Sequence, residues 1–402
     1  MYLPTIDDFS EFCLERLLNT CFGDSFRDQR FCILIDLPDP SSIKDLSFLE
    51  YDEFSVQKYA ISHFYNKLSS DRTTDPLISQ SCDLFAFKTT GGSNLDPDDT
   101  VVCPKGKVMS LSDDVCPHYD IILAITDFSL TAPLTSMAKE YGFRGATLHG
   151  LNDTILNSGL SVDYHLVSNQ AECVRTLLTK ADNFTLHLTC LGKTYELTIH
   201  CSKQEAQKSH GLCPPGKPDV ANLPAGEVYF VPQSAEGDFP FRFDDGTLAV
   251  MHVENGSITQ CSHLQGDSSL VEARNQQLVS DPATGIIGEL GFGTQLLPFS
   301  GKDIQDEKIL GTCHVATGRS DHLGGHLTPD LFIEKKNASH DDILFAPEKT
   351  PEIDISKVIM NKNGKEYIVL EDYYPSDFLL SNLADFYPTK LIEESKEHLA
   401  NA

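Results

Sequence analysis

Residues 120–126 read Asp120-Ile-Ile-Leu-Ala-Ile-Thr126, and residues 133–142 read Pro133-Leu-Thr-Ser-Met-Ala-Lys-Glu-Tyr-Gly142. The first is an unbroken apolar run of strand length; the second has helical spacing and meets a glycine stop. Together they predict a β-α unit. Working outward, Gly145-Ala-Thr-Leu-His149 reads as a further strand. So does Val162-Asp-Tyr-His-Leu-Val167, followed by a helix over Ala171 to Lys180. The alternation predicts an α/β region at 117–182, with a parallel or mixed sheet under covering helices. Upstream, residues 1–116 are set apart as an N-terminal extension or lobe. They hold a strand at Phe31-Cys-Ile-Leu-Ile-Asp36, helical patterns at Phe9 to Leu18 and Ser55 to Leu68, a loop from Thr89 to Thr100 and a turn at Pro104-Lys-Gly-Lys107. Downstream, residues 183–402 change to short strands at Thr185 to Cys190, Tyr195 to His200, Gly226 to Val231, Leu248 to Val253 and Ser257 to Gln260. Turn signals at Gly192-Lys193, Asp245-Gly246 and Asn255-Gly256 separate them and predict a meander or barrel-like, β-rich domain.

A chain of 402 residues exceeds what one core serves, which agrees with more than one domain. No segment approaches the ~20 apolar residues needed to cross a bilayer. The start, Met1-Tyr-Leu-Pro-Thr-Ile-Asp-Asp8, lacks a basic region and an apolar stretch, so a cytoplasmic protein is expected. The 12 cysteines are scattered without close pairs and read as structural thiols, with Cys213 and Cys313 kept in view as reactive candidates. A net charge of −28 disfavours nucleic acid as a partner and leaves carboxylates to spare for divalent cations.

Three segments put an ionisable residue into apolar or glycine-rich sequence. They are Leu223-Pro-Ala-Gly-Glu-Val228, Ile286-Ile-Gly-Glu-Leu-Gly-Phe-Gly293, and Gly311-Thr-Cys-His-Val-Ala-Thr-Gly318 running on to Asn337-Ala-Ser-His-Asp-Asp342. A buried carboxylate needs a cation or a dense set of donors. Glu227 enters a strand after Gly226, and Glu289 sits in a run too apolar to welcome a charge. His340 and Asp342, two apart, share one face of a strand, and His314 offers an imidazole from another segment. Two imidazoles and up to three carboxylates suit Zn, Co, Mn or Fe(II), and one glutamate could bridge two ions.

The order of these segments resembles the thermophilic metallo-aminopeptidases and their leucyl-aminopeptidase-like relatives, over roughly residues 117 to 345. The resemblance implies an α/β region before a β-rich metal-binding domain, a homodimer, and Glu227, Glu289, His314, His340 and Asp342 as metal ligands. It implies a metal-dependent hydrolase of short peptides or related small amides, with Glu289 guiding a proton. One departure is a tyrosine of the peptidases that falls here on or near Asp321; His322 is the expected replacement as acid or base, with Arg319, Asp321 and His326 as substrate-binding candidates. Arg319 could equally pair with Asp321. The short stretch between His314 and His340, and Gly324-Gly325 with the Glu307-Lys-Ile-Leu-Gly-Thr312 run, resemble instead the 2,5-dihydroxypyridine dioxygenase-like relatives. Their single Fe(II) would take His314, His340 and Asp342, with Glu227 and Glu289 behind. A repurposed, non-catalytic metal-binding member is the third reading.

Overall fold

The computed structural model describes residues 3–69, 77–78, 80–383 and 385–401. The chain divides into two compact units. One comprises Thr5–Ser168 and His210–Ala225, the other Met1–Pro4, Asn169–Ser209 and Gly226–Ala402. They are called here the N-terminal and C-terminal units.

In the N-terminal unit, apolar runs become central strands because helices cover both faces of a parallel sheet. These are β1 (Phe31–Leu37), β2 (Cys82–Lys88), β3 (Thr100–Val102), β4 (Val108–Ser110), β5 (Ile121–Thr126) and β6 (Arg144–His149). After three strands of the other unit, β7 (Asn183–Cys190), β8 (Lys193–His200) and β9 (Gln207–Ser209), the chain returns as β10 (Val220–Asn222). The sheet order is β10-β6-β5-β1-β2-β3-β4, parallel from β10 to β2 and antiparallel beyond. The helix Thr131–Tyr141 ends on Gly142 at φ 86°, as its glycine stop predicts.

Two expectations meet a different arrangement. The boundary at 116/117 falls inside this sheet: β1 to β4 lie upstream of it, yet β1 is hydrogen-bonded to β5. Strand order is set by long-range pairing that the local pattern does not carry. Val162 to Val167 is not a strand, since a helix runs from Tyr164 to Leu178. Its buried residues Tyr164, Val167, Ala171, Val174 and Leu178 step by three and four, a helical stripe that a six-residue window mistakes for alternation.

The C-terminal unit holds two antiparallel sheets. Its remaining strands are β11 (Glu227–Phe230), β12 (Ser234–Arg242), β13 (Leu248–Glu254), β14 (Ser257–Gln265), β15 (Ile287–Gly293), β16 (Cys313–Gly318), β17 (His340–Phe345), β18 (Ile353–Lys362), β19 (Lys365–Glu371) and β20 (Tyr374–Pro375). The larger sheet runs β14-β13-β12-β8-β7-β18-β19-β20 and the smaller β17-β16-β15-β11-β9; among the described residues neither closes into a barrel. The Asn255-Gly256 turn joins β13 to β14 with φ of 51° and 83°, the paired positive values that a two-residue hairpin demands. The sheets share one core, in which Phe184 of β7 lies 5.2 Å from the rings of both Phe230 and Phe292.

Candidate metal centre

Side chains alternate across a strand, so the small sheet has two chemically distinct faces. One carries Val228, Phe230, Leu290, Phe292, Cys313, Val315 and Phe345 into the shared core. The other collects the polar residues through the strand register. Asp342 lies opposite Ala316, which lies opposite Glu289; His314 lies opposite Gly291; Glu227 lies opposite Gly293; His340 lies opposite Gly318. A bulge at Gly288 lets Ile287 turn to the core while Glu289 keeps the polar face. Each of these side chains therefore faces a glycine or alanine on one neighbouring strand, and the missing atoms make room for protein groups: the His314 ring over Gly291, the Ile309 backbone over Gly293 and the Ser339 carbonyl over Gly318. A Cβ on Gly291 would fall 2.1 Å from the His314 ring, so this position has to be glycine for the imidazole to fit.

The five expected ligands meet here. His340 Nε2 lies 3.0 Å from Glu289 Oε2 and 3.3 Å from Asp342 Oδ1. His314 Nε2 lies 3.6 Å from Glu289 Oε1, 3.8 Å from Glu227 Oε2 and 3.9 Å from Asp342 Oδ1. Ligand atoms about 2.1 Å from one ion are spaced roughly 3.0–3.5 Å apart, so the distances around His340 suit a shared ion and those around His314 are slightly open. Three residue groups have ligand atoms mutually within 4.8 Å: Glu227, Glu289 and His314; Glu289, His340 and Asp342; Glu307, His314 and Asp342.

The donor set asks for positive charge. His340 Nδ1 sits 2.6 Å from the Arg319 carbonyl oxygen, which can only accept, so the ring proton is on Nδ1 and the Nε2 lone pair faces two carboxylates. That contact is repulsive until Nε2 takes a proton or a metal ion. With Glu307 protonated and both imidazoles neutral, Glu227, Glu289 and Asp342 against Lys308 leave two net negative charges. The ionisation of the metal-free site reflects this excess. Burial alone would lower the His314 pKa, yet Glu289, Glu307 and Asp342 raise it to about 10, and Asp342 and Glu289 likewise raise His340 well above its ordinary range against its burial. Burial pushes Glu307 up to about 8, with Asp342 and Glu227 adding to it. The residues present thus fit one or two divalent ions.

Glu307 and Lys308 belong to a run that carries the resemblance, but the sequence assigns them no role at the site. Gly293 has no side chain where the Ile309 backbone crosses it, and that close approach brings the 303–312 segment onto the site. Thr312 Oγ1 ties the turn by donating to the Ile309 carbonyl at 2.8 Å. Lys308, 1% exposed, donates to Glu227 at 2.7 Å and to Glu307. Two opposite charges heading the apolar run Ile309-Leu-Gly-Thr-Cys313 are the signal that could have singled them out.

The remaining candidates separate. His322 is at the site, its ring edge-on to His340 with centroids 5.0 Å apart. Its Nδ1 is buried without a hydrogen-bond partner, and burial, reinforced by His340, pulls its pKa to about 3. The expectation of an imidazole titrating near neutral pH assumed a solvated ring; these surroundings hold it neutral. Arg319 is turned to Asp321 as a fork, Nε to Oδ1 at 2.7 Å and Nη2 to Oδ2 at 3.3 Å, the structural pairing of the two alternatives. His326 is exposed in the loop after Gly324. Cys213 and Cys313 are buried, and burial raises both thiols, Cys213 to about 11, which removes them as reactive candidates. Asp342 is the open edge of the site: its side chain is 28% exposed and lines a cleft of about 110 Å3 with Arg242, Asp303, Leu344 and Lys349.

No protein-family model matches this chain, and a search of curated proteins gives no match. Among the described residues no helix is long and apolar enough to cross a membrane.

Proposed function

We propose that this protein is a metal-dependent hydrolase of the aminopeptidase kind, acting on short peptides or related small amides at a centre of two divalent ions. The observation that carries the reading is the placement of Glu289, with one oxygen toward His314 at 3.6 Å and the other toward His340 at 3.0 Å. None of the three compact groups holds both imidazoles, and two of them share Glu289. A carboxylate between two half-sites is the bridging arrangement of two-metal hydrolases. Bound ions would polarise the scissile carbonyl and acidify a water.

Around them the chain's own residues divide the work. His340 is oriented by its Nδ1–H bond to the Arg319 carbonyl, the outer contact that fixes a ligand imidazole. Glu289 has both oxygens committed to imidazoles, so we assign it the bridge and not the proton-guiding role expected from sequence. His322, neutral and edge-on to His340, is available as a hydrogen-bonding group and not as an acid. The exposed Asp342 marks the side from which a substrate reaches the site.

A second reading, one Fe(II) in a ring-cleaving dioxygenase, has its own support: Asp342 Oδ1 lies within 3.9 Å of both imidazoles, at 3.3 and 3.9 Å. Anaerobic purification with elemental analysis, alongside hydrolysis of unblocked short peptides and oxygen uptake with dihydroxylated aromatic rings, separates the two. Two zinc, cobalt or manganese ions with release of N-terminal residues is the expected result. One iron with oxygen uptake would replace it by the second reading, and a metal-free, inactive protein would sink both.

A further inference from the structure

Glu227 is a divided ligand. Its Oε2 faces His314, whereas its Oε1 accepts from Lys308 Nζ at 2.7 Å. Lys308 cannot turn away to water: it is 1% exposed, anchored on its far side by Glu307, and fixed in a turn whose backbone crosses Gly293. The other half of the centre differs. Among the described residues no lysine or arginine is bonded to Glu289 or Asp342, and the Arg319 guanidinium is forked onto Asp321. There His340 Nε2 lies 3.0 Å from Glu289 and 3.3 Å from Asp342, whereas His314 Nε2 lies 3.6 Å from Glu289 and 3.8 Å from Glu227.

We propose that Lys308 makes the centre unequal: Glu289, His340 and Asp342 form a tight cation site, and Glu227, Glu289 and His314 a weak, exchangeable one. The inference rests on the two-ion reading above. A hard divalent ion is held by the charge and number of its oxygen ligands, and the ammonium withdraws one Glu227 oxygen while setting a like charge close to the ion. The weak site fills only when free metal is plentiful, so a reaction that needs both ions is governed by metal supply. Lys308 is then a positioning residue, acting through Glu227 and not on the substrate.

The test is calorimetric titration of Mn2+ into the chelator-stripped full chain. Two classes are expected, with Kd values at least about tenfold apart, since outer partners of metal ligands change affinity by roughly 10–100-fold. His314→Ala should remove the weak class and spare the tight one, and His340→Ala the reverse. Lys308→Met should tighten the weak class by about 10–100-fold with the tight class nearly unmoved. Two equal classes in the wild type, or a tight class that vanishes with His314, would overturn the inference and leave the two-ion reading standing. No Mn2+ binding at all would overturn both. Should Lys308→Met fail to fold, the wild-type titration with the two histidine variants still decides.

Discussion

Histidines meet carboxylates on both sheets of the C-terminal unit, with opposite consequences. On the outer face of the large sheet, His187 Nδ1 lies 3.0 Å from Glu196 and His200 Nε2 lies 3.3 Å from Glu236. His252 bridges Asp238 at 2.7 Å and Ser262 at 2.8 Å. These carboxylates are 49–70% exposed. On the small sheet the same residue types are 1–8% exposed except at Asp342. Solvated pairs contribute about 0–1 kcal/mol and are screened by salt, whereas a charge left unpaired in the interior costs several kcal/mol. Donor types are therefore shared by both sheets. What sets the small-sheet cluster apart is exclusion of water, and small residues that let the His314 ring and the Ile309 backbone pack close to it.

The largest effect expected from this contrast is at Lys308. Lys308→Met leaves Glu227 and Glu307 facing each other without their ammonium, and the metal-free protein should lose about 3–5 kcal/mol in urea unfolding. Added divalent metal should restore part of that loss; a change below about 1 kcal/mol would place Lys308 in the same class as the wet pairs.

Asp36 of β1 sharpens the comparison as a buried carboxylate with no imidazole beside it. It accepts from Gln57 Nε2 at 2.8 Å and from the Asp127 backbone at 3.0 Å. Burial, then the nearby Asp127, raises its pKa to about 6, so the protonated form is favoured in the folded state. This contribution is fully present below the unfolded carboxyl pKa of about 4 and is lost as pH rises through about 6. Asp36→Asn, which keeps an oxygen for both donors, should remove this loss. Relative to wild type it should gain up to about 3 kcal/mol between pH 4 and pH 7, and parallel pH profiles for the two proteins would refute the assignment.

A smaller effect is expected at Gly291. Gly291→Ala drives a methyl into the His314 ring, and overpacking of this kind costs about 1–3 kcal/mol. Metal content should fall with it, and a variant of wild-type melting temperature and full occupancy would break the steric account of the His314 seat. Smallest of all is His252→Ala on the wet face, expected to change unfolding free energy by less than about 1 kcal/mol and metal content not at all.

Eight of the 20 strands among the described residues were legible, because a buried strand is apolar at every position and a hairpin turn has its own residue chemistry. β1, β5, β6 and β7 fall within one or two residues of the segments read from sequence. The five candidate ligands that the small sheet brings together were legible as ionisable residues in sequence too apolar for them. Illegible were the features that exist only between segments. The pairing of β1 with β5 erases the 116/117 boundary, and the burial of His322 depends on His340 eighteen residues away. Lys308 has no assigned role in the sequence, and gains one only when the turn that carries it is laid across Gly293. The helix at Tyr164–Leu178 was misread because six residues cannot separate a period of two from one of 3.6.

The glycine and alanine positions of the small sheet have a consequence for how this chain tolerates change. Gly291, Gly293, Ala316 and Gly318 donate nothing to an ion, yet each faces a residue of the centre across the register. They act as a mould: at the glycines, the seats of the His314 ring, the Ile309 backbone and the Ser339 carbonyl are encoded by side chains that are missing. Substitutions that add atoms there should be as damaging to metal uptake as deletion of a donor, while leaving the full complement of histidines and carboxylates in place. A homologue stripped of its activity by drift could therefore keep every ligand and still be unable to load.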